Sequence, residues 1–443
     1  MLHRLKSFFP SSWFRGYHFL LAHAAALVYG YPSRAMRVIG VTGTNGKSST
    51  VQLAGQLLMT LGKKVGWTTT ASFRVGDREW MNDKKMTMLG RFATQKLLRK
   101  MVRAGCSVAL IETSSQGIEQ FRHIGIAYDT LVFTNLTPEH IEAHGGFENY
   151  KHAKLKLFAR LSHAPRKRLG GVRVPTQILV NENDAHAPEF AAFGADRVWA
   201  FGRAGCARMP VKADEHMEAS EVSFRVEGTF ANVQGQILHT PLVGGFYFEN
   251  TLAAITVAVS SGYSIAETLR AAESLHPIPG RLEIFLHHGA TIIVDYAYEP
   301  YALRALYDTV ALFHPKRIIQ VTGSAGGGRD VARRKEIGHL VAEKTDSMFV
   351  TNEDPYDEDP WVIITAIADA AAEAGKVDGE TLFRVLDRRE AIVKAIALAR
   401  EGDVVLVTGK GCEPVMAVAN GKKVSSDDRV FVKEAMELCL ASS

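Results

Sequence analysis

The 443-residue sequence is poor in cysteine, and its four cysteines lie far apart. Cys106, Cys206, Cys412 and Cys439 form no C-x-x-C pair, which argues against a disulfide scaffold and a zinc ribbon. Isolated thiols are typical of proteins in a reducing cytosol, so we expect a cytoplasmic protein.

The sequence also lacks an apolar run of the 18 or more residues that a membrane-spanning helix needs. An apolar stretch over 19–29 follows Arg4, Lys6 and Arg15, which is the general layout of a signal peptide. His23 interrupts this stretch and no small-x-small site ends it, so we predict instead a helix packed on the following domain. The apolar residues at helical spacing are Tyr17, Leu20, Leu21, Ala24, Leu27 and Val28. An interfacial helix with weak membrane contact is the alternative, because its flank is basic.

The sequence also has little excess of positive over negative charge. The 52 Lys and Arg against 47 Asp and Glu leave a net charge of +5, which is too weak at this length to indicate a nucleic-acid partner. With 47% hydrophobic and 22% charged residues, the composition is that of an ordinary globular protein. The length predicts about two to four domains, each able to bury a core without disulfides.

A glycine-rich loop between a predicted strand (37–41) and a predicted helix (50–61) is the first motif that carries chemistry. In a P-loop, glycines let backbone N–H groups approach phosphates at a helix N-terminus, while a lysine reaches the β- and γ-phosphates and a Ser or Thr hydroxyl binds Mg²⁺. The spacing here, Gly-x-x-Gly-Lys-Ser, is shorter than the general pattern. The predicted nucleotide-binding residues are Gly43, Thr44, Asn45, Gly46, Lys47, Ser48 and Ser49.

Two further segments place polar residues near this loop. A predicted strand over 107–111 ends at Glu112, where a second Mg²⁺ contact is expected beside a P-loop. Another predicted strand (130–134) leads to His140 and then to a helical pattern that includes Lys154. On its own, a lysine on an amphipathic helix is usually only solvated.

A series of ordered motifs then resembles the Mur ligase family, most closely its MurE-type branch. The motifs lie at 42–49, 112–115, 133–140, 150–158, 181–184, 245–254, 279–283, 294–297, 322–334, 409–413 and 427–429. The resemblance implies an ATP-dependent amide ligase of peptidoglycan precursor synthesis. In such a reaction ATP phosphorylates an acceptor carboxylate, and the amine of an amino acid attacks the acyl phosphate.

The resemblance also implies ATP and Mg²⁺ as cofactors and assigns catalytic roles to Lys47, His140 and Lys154. Ser48 and Glu112 would hold one Mg²⁺, while His140 and Lys154 would serve another. Lys154 would be carbamylated by CO₂, which gives it an anionic oxygen of the kind that Mg²⁺ prefers.

Further residues are assigned by the same resemblance to the three small-molecule substrates. The nucleotide would also contact Asn250, Arg281 and Asp295. The muramyl-peptide acceptor would contact Thr87, Ser114, Gln120 and Arg122. The incoming amino acid would contact Arg334, Glu353, Asp354, Tyr356, Gly409 and Glu413.

The sequence departs from the family pattern at several motif positions. Gln116, Tyr298 and Cys412 each stand where the family has histidine. Tyr356 stands where the diaminopimelate-adding branch has an arginine that can grip a second carboxylate bidentately. This makes diaminopimelate doubtful and leaves lysine or another amino acid open.

Alternating strand and helix signals predict an α/β protein with parallel sheets. We predict an N-terminal helical segment over 1–36, a P-loop central domain with a parallel sheet over 37–278 and a C-terminal Rossmann-like α/β domain over 279–443. The active site is expected between the last two domains, which would close for catalysis.

The family has a separate UDP-binding domain before its P-loop domain, whereas 42 residues precede Gly43 here. Three alternatives stay open: an acceptor without UDP, a lipid-linked acceptor, or an acceptor held by the central domain alone. MurT-type ligases, which also lack that domain, carry a Cys-rich zinc insertion that this sequence does not have. The rival hypotheses are a ligase for folate-like or poly-amino-acid acceptors and an ATP-binding scaffold that forms no bond.

Overall fold

A computed structural model describes residues 11–138, 144–164, 166–328 and 331–441. By its internal contacts the chain divides into a larger unit (1–223, 228–242 and 246–275) and a smaller unit (224–227, 243–245 and 276–443). The α/β class predicted from the sequence is confirmed, because a mainly parallel sheet is the centre of each unit. No described helix is long and apolar enough to cross a membrane.

The elements up to residue 275 belong mainly to the larger unit. Its described helices are α1 Ser11–Val28, α2 Lys47–Thr60, α3 Arg91–Arg103, α4 Ser115–Glu119, α5 Phe147–Ser162, α6 Ala187–Ala191, α7 Gly245–Ser260 and α8 Ile265–Ala272. Its described strands are β1 Arg37–Thr42, β2 Val65–Thr68, β3 Ser72–Val75, β4 Arg78–Met81, β5 Val108–Glu112, β6 Thr130–Phe133, β7 Lys167–Leu169, β8 Val172–Val174, β9 Gln177–Asn181, β10 Arg197–Arg203, β11 Glu215–Arg225, β12 Gly228–Val233 and β13 Gln236–Thr240.

The elements after residue 275 form the smaller unit. Its described helices are α9 Pro300–Val310, α10 Val331–Lys344, α11 Pro360–Glu373, α12 Arg388–Leu398 and α13 Asp428–Ala441. Its described strands are β14 Glu283–His287, β15 Ala290–Asp295, β16 Ile318–Thr322, β17 Ser347–Thr351, β18 Leu382–Val385, β19 Val404–Thr408, β20 Val415–Val418 and β21 Lys422–Ser425. Six strands form its main sheet in the order β14-β15-β19-β16-β17-β18.

The larger unit has an eleven-stranded sheet in the order β13-β12-β11-β10-β9-β6-β1-β5-β2-β3-β4. Strand β1 lies between β5 and β6 and is parallel to both, with Val41 opposite Glu112 and Thr42 opposite Phe133. Because the carboxyl ends of parallel strands meet at one edge of a sheet, the segments that follow these three strands converge there. Helix α2 begins at Lys47, three residues before the predicted start.

The N-terminal helix α1 forms as predicted, but the face predicted to pack is wrong. Helix α1 packs on α3 through Ala22, Ala25 and Ala26, which are fully buried, whereas Leu20 and Leu27 are each 68% exposed. The reason is close approach, since a Cβ placed on Gly125 would lie 2.7 Å from Cβ of Ala26. Only small side chains fit at such a distance, so the alanines pack and the larger residues point outward.

A buried ion pair fixes the segment between α1 and β1. The Lys167 ammonium lies 2.6 Å from a carboxylate oxygen of Asp129 and donates to the carbonyls of Ser33, Met36 and Ala127 at 2.9 to 3.0 Å. Burial lowers the pKa of Lys167 and raises that of Asp129. The cage of oxygen atoms compensates the buried cation, so the pair ties β7 to the start of the central sheet.

We expect Lys167→Met to lower the free energy of unfolding by about 3 kcal/mol, because it leaves the Asp129 carboxylate buried without its cation. Urea unfolding monitored by circular dichroism would measure the change. Arg168→Met is the matched control, because Arg168 follows on the same strand and is exposed. Equal losses in the two variants would contradict a special role for the buried pair.

Candidate active site

The glycine-rich loop between β1 and α2 depends on two glycines for its shape. Gly43 and Gly46 have φ angles of 156° and 81°. A Cβ on Gly43 would lie 2.0 Å from the Thr134 hydroxyl, and one on Gly46 would lie 2.1 Å from the Asn250 side-chain oxygen. The backbone conformation and the close neighbours therefore both demand glycine at these positions.

Side chains from other segments hold the loop in place. The Asn45 N–H donates to the Asn135 side chain at 2.8 Å, and the Thr134 hydroxyl donates to the Asn45 carbonyl at 2.7 Å. The Thr50 hydroxyl donates to Asn250 at 3.2 Å. This arrangement brings predicted nucleotide residue Asn250 against the loop.

Two predicted magnesium residues lie next to each other at the start of α2. The Ser48 hydroxyl donates to a carboxylate oxygen of Glu112 at 2.6 Å, and both residues are buried. Lys47 precedes them, and its ammonium donates to the Thr44 carbonyl at 2.5 Å. A lysine and two side chains with oxygen atoms that can bind a metal ion therefore lie at the edge of the sheet that carries the phosphate loop.

The side chains of Ser48 and Glu112 are suitable ligands for Mg²⁺, because both offer oxygen atoms. Two protein ligands are enough, since Mg²⁺ is usually held by one or two protein groups together with the phosphates of the substrate. Within the described residues no group of three or more His, Cys, Asp or Glu is arranged to hold a metal. The predicted ligand His140 lies outside the described residues.

Lys154 lies against the phosphate loop instead of facing solvent. It is fully buried on α5, and its amine donates to the Gly43 carbonyl at 2.6 Å. The amine also lies 4.5 Å from the centre of the Tyr150 ring, and the Tyr150 hydroxyl is 3.1 Å from that of Thr44. A buried lysine beside the loop is compatible with the predicted role, while its carbamylation stays a prediction.

A line of polar groups runs from Glu112 towards the predicted acceptor residues. Glu112 accepts from the backbone N–H of Thr70 at 2.7 Å and from its hydroxyl at 3.1 Å. The Thr70 hydroxyl lies 2.9 Å from that of Thr87. Next to Thr87, the Met88 carbonyl accepts from Arg122, whose guanidinium also donates to the Gln120 side chain at 2.6 Å.

Ser114 has a local structural role in the same region. Its hydroxyl accepts from the Gly117 N–H at 3.2 Å and so caps α4. The structure thus brings Thr87, Gln120 and Arg122 together, with Ser114 at the start of the short helix that leads to them. Their contact with an acceptor stays a prediction.

In the smaller unit, the two predicted nucleotide residues already have protein partners. Both oxygens of Asp295 accept backbone N–H bonds at 2.7 Å, from Leu282 and Ala297, and burial raises the pKa of its carboxyl. The Arg281 guanidinium lies 4.2 Å from the centre of the Tyr296 ring. Asp295 therefore shapes the turns around Arg281 and Tyr296.

A buried acidic cluster contains most of the residues predicted to bind the amino acid. Glu353 is buried against Gly409, where an added Cβ would lie 2.2 Å from its Oε2. This oxygen has no hydrogen-bond partner in the part of the chain that the structure describes. The Lys410 ammonium lies 3.5 Å from Asp354 and 3.4 Å from Glu413. Burial raises the pKa of Glu353 to about 7; Arg388 and Lys410 oppose this shift and Asp354 and Glu413 add to it.

Arg334, predicted to bind the amino acid, is engaged by the protein itself. Its guanidinium forms a bidentate pair with Glu358 at 2.6 and 2.8 Å. The Glu358 carboxylate also accepts hydrogen bonds from the backbone N–H groups of Gly327 and Gly328. Glu358 therefore occupies a site whose hydrogen-bond donors are arranged to bind a carboxylate. The Nε atom of Arg334 is buried and has no hydrogen-bond partner among the described residues.

Tyr356 and Cys412 occupy two of the positions at which the sequence departs from the family pattern. Tyr356 has a left-handed φ of 53°, and its ring lies about 3.4 Å from where a Cβ of Gly327 would be. Cys412 is buried.

Several residues of these sites could not be identified from the sequence. Thr70 lies in a loop without a motif, and Glu358 belongs to a run of acidic residues that resembles a solvated surface. Asn135 and Tyr150 were within motifs but carried no predicted role. Spatial proximity, not residue type, identifies all four.

The comparisons with known proteins agree with this geometry. Residues 41–258 match the Mur ligase middle domain, and residues 280–411 match the Mur ligase, glutamate ligase domain. The chain is 37% identical over 405 residues to a UDP-N-acetylmuramyl-tripeptide synthetase of Roseiflexus sp. (strain RS-1), which covers 89% of this chain and 77% of that protein. It is 33% identical to a UDP-N-acetylmuramoyl-L-alanyl-D-glutamate–2,6-diaminopimelate ligase of Geobacillus kaustophilus, over 94% of this chain and 82% of the relative.

Solved structures show the same fold. A UDP-N-acetylmuramoyl-L-alanyl-D-glutamate–2,6-diaminopimelate ligase superposes with a TM-score of 0.58 at 26% identity, over 91% of this chain and 78% of that one. Folylpolyglutamate synthase of Mycobacterium tuberculosis superposes with a TM-score of 0.67 at 18% identity, over 89% and 93%, and this likeness concerns the fold alone. The chain therefore belongs to the Mur ligase family of ATP-dependent ligases, which form amide bonds and release ADP and phosphate.

Proposed function

We propose that this ligase joins the amine of an amino acid to a carboxylate of a muramyl-peptide acceptor in peptidoglycan precursor synthesis. The observation that carries the proposal is the polar line from Ser48 through Glu112, Thr70 and Thr87 to the neighbourhood of Arg122. It joins the phosphate loop to the residues expected to hold the acceptor. The low-identity likeness to folylpolyglutamate synthase does not favour a folate-like acceptor.

In the first step, a carboxylate oxygen of the acceptor attacks the γ-phosphorus of ATP, and ADP leaves. Loop N–H groups and Lys47 orient the phosphates and balance their charge, because phosphoryl transfer depends on positioning and electrostatics more than on covalent protein chemistry. Mg²⁺, when bound by Ser48 and Glu112, would neutralise additional phosphate charge.

In the second step, the amine of the amino acid attacks the acyl carbon, and phosphate leaves as the amide bond forms. The buried acidic cluster of Glu353, Asp354 and Glu413 is suited to hold a cationic amine. Among the described residues its neighbouring cations are Lys410 and Arg388, and Arg388 is itself paired with Asp428. Tyr356 offers no cation for a second carboxylate. We therefore propose a diamino acid such as lysine as the substrate, in preference to diaminopimelate.

ADP release with ATP and Mg²⁺ across a panel of amino acids tests this function, with and without a muramyl-alanyl-glutamate acceptor. We expect release that requires both substrates, a product heavier by one amino-acid residue in mass spectrometry, and faster release with lysine than with diaminopimelate. Release that no pair of substrates stimulates would contradict the ligase assignment. Faster reaction with diaminopimelate would contradict only the choice of amino acid.

The ionisation of Glu353 predicts a pH dependence for the amino-acid step. Because its pKa is raised to about 7, the carboxyl is mostly neutral below that pH and loses its attraction for an ammonium group. The KM for lysine is expected to rise about tenfold from about pH 8 to about pH 6.

Glu353→Gln is the control, because it removes this ionisation but leaves the ionisation of the substrate amine unchanged. The ratio of the lysine KM values of the variant and the parent protein should fall towards one as the pH falls. A ratio that is constant across this range would exclude a role for the Glu353 carboxylate in binding the amine.

We also propose that the enzyme works in the cytoplasm. The support is that none of the described cysteines, Cys106, Cys206, Cys412 and Cys439, forms a disulfide bond, as expected in a reducing compartment.

A further inference from the structure

Two neighbouring arginines in the larger unit have no acidic partner among the described residues. Arg122 donates to Met88 and to the Gln120 side chain, and Arg91 donates to the Gln120 carbonyl. The positive charge of Arg91 contributes to lowering the pKa of Arg122, which reports their proximity. The nearby Glu119 carboxylate is paired with Lys156 at 2.6 Å.

This arrangement leaves positive charge without compensation in a half-buried position. Arg91 and Arg122 are both partly buried, and no described residue forms a hydrogen bond with the buried Arg91 Nε atom. Two like charges in such a place are unfavourable unless an anion joins them. Guanidinium groups bind carboxylates and phosphates with paired, directional hydrogen bonds, so these groups are the chemistry that the pair fits.

Residues of the N-terminal helix α1 lie next to Arg91 and to the turn that carries Arg122. Burial lowers the pKa of Arg91, and the nearby Tyr17 hydroxyl partly opposes this effect. The Phe19 ring packs edge-on against Phe121, with 6.1 Å between ring centres. Phe121 has a left-handed φ of 59°, a conformation that is unfavourable for a residue with a side chain. Phe19 thus helps to stabilise the turn that carries Gln120 and Arg122.

We propose that Arg91, together with Arg122, binds a second anionic group of the acceptor, distinct from the carboxylate that reacts. Met88, which contacts Arg122, follows Thr87 on the polar line, so the arginine pair lies at the end of that line remote from the phosphate loop. Phe19 is a positioning residue for Arg122. This inference rests on the proposed ligase function and adds Arg91 and α1 to the acceptor site.

Calorimetric titration of the full-length protein with three synthetic acceptors, in the presence of a non-hydrolysable ATP analogue, tests the proposal. The first acceptor is muramyl-alanyl-glutamate without phosphate, the second is the same molecule with its non-reacting carboxylate amidated, and the third is the UDP-linked form. Arg91→Gln is expected to weaken binding of the UDP-linked acceptor about tenfold or more.

The three acceptors distinguish the two sources of negative charge. If the pair binds the carboxylate, the phosphate-free acceptor shows the loss and the amidated acceptor does not. If it binds a phosphate, only the UDP-linked acceptor shows the loss. Equal affinity of Arg91→Gln and the parent protein for every acceptor would overturn the inference, and so would an equal loss with all three.

Matched variants separate binding from folding. Arg103→Gln changes an exposed arginine at the other end of α3 and should leave the affinity for every acceptor unchanged. Arg91→Lys keeps the positive charge and should retain part of the affinity of the parent protein. Phe19→Ala should weaken the same acceptors several-fold, whereas Leu20→Ala, at a more exposed neighbour, should not. Thermal unfolding of each variant shows whether it is folded. If the parent protein binds none of the acceptors, the proposed function fails and takes the inference with it.

Discussion

Lys47→Ala is expected to lower kcat for acceptor-dependent ADP release by about 10²- to 10³-fold, the cost of losing one well-placed electrostatic contact in a transition state. Among the described residues, the Lys47 ammonium bonds only to the Thr44 carbonyl of its own loop, so the side chain is not needed to hold another of the described elements. We therefore expect a large kinetic effect with a small change in stability.

Lys63→Ala is the appropriate comparison, because Lys63 is exposed just beyond the C-terminal end of the same helix. Initial rates at saturating ATP, acceptor and amino acid give kcat for both variants, and thermal unfolding gives their stability. A Lys47→Ala enzyme that keeps more than about a tenth of the parent kcat would show that the loop positions phosphate without its lysine.

Lys154→Ala is expected to abolish most activity, again by about 10²- to 10³-fold, and short carboxylates such as acetate are expected to restore part of it. An added carboxylate would occupy the space of the missing side chain and supply the anionic oxygen that a carbamate would provide. Restoration by carboxylates distinguishes this role from a purely structural one, since the bond of Lys154 to the Gly43 carbonyl needs a donor and not an acceptor.

Bicarbonate gives an independent measurement on the unmodified chain. Activity in buffer depleted of CO₂ should fall and should recover when bicarbonate is added, while Lys154→Met should respond to neither treatment. Lys156→Ala is the control, because Lys156 lies on the same helix and pairs with Glu119 at the surface. Activity that is equal in CO₂-depleted buffer and in buffer with added bicarbonate would contradict the carbamate.

The sequence predicted the parts of the structure that depend on local pattern. The buried strands around β1 and the residues at their ends could be predicted because apolar runs ending in polar residues predict parallel strands whose ends converge. This is how Ser48 and Glu112 were expected near one magnesium ion, and they lie in direct contact. Lys154 could be connected to the loop only through the resemblance, since its helical pattern alone indicates a solvated lysine.

Contacts that depend on what lies opposite a residue could not be predicted in the same way. Apolar periodicity predicted helix α1 but not its packing face, because the distance to Gly125 selects alanine over leucine. Arg334 was expected to contact the incoming amino acid, whereas in the structure its guanidinium binds Glu358, 24 residues away. Nothing in the sequence distinguishes Glu358 from the acidic residues on either side of it.

The way the phosphate loop is held has a consequence for synthesis of the chain. The partner that holds Asn45 is 90 residues further along the sequence, and the one that holds Thr50 is 200 residues further. At roughly 5 to 20 residues per second, a ribosome takes on the order of 10 to 40 s to proceed from Thr50 to Asn250. A nascent chain that ends before Asn250 therefore carries the complete loop sequence without the contact that Asn250 makes to Thr50, and ATP binding by stalled chains of increasing length should begin only after α7 has emerged.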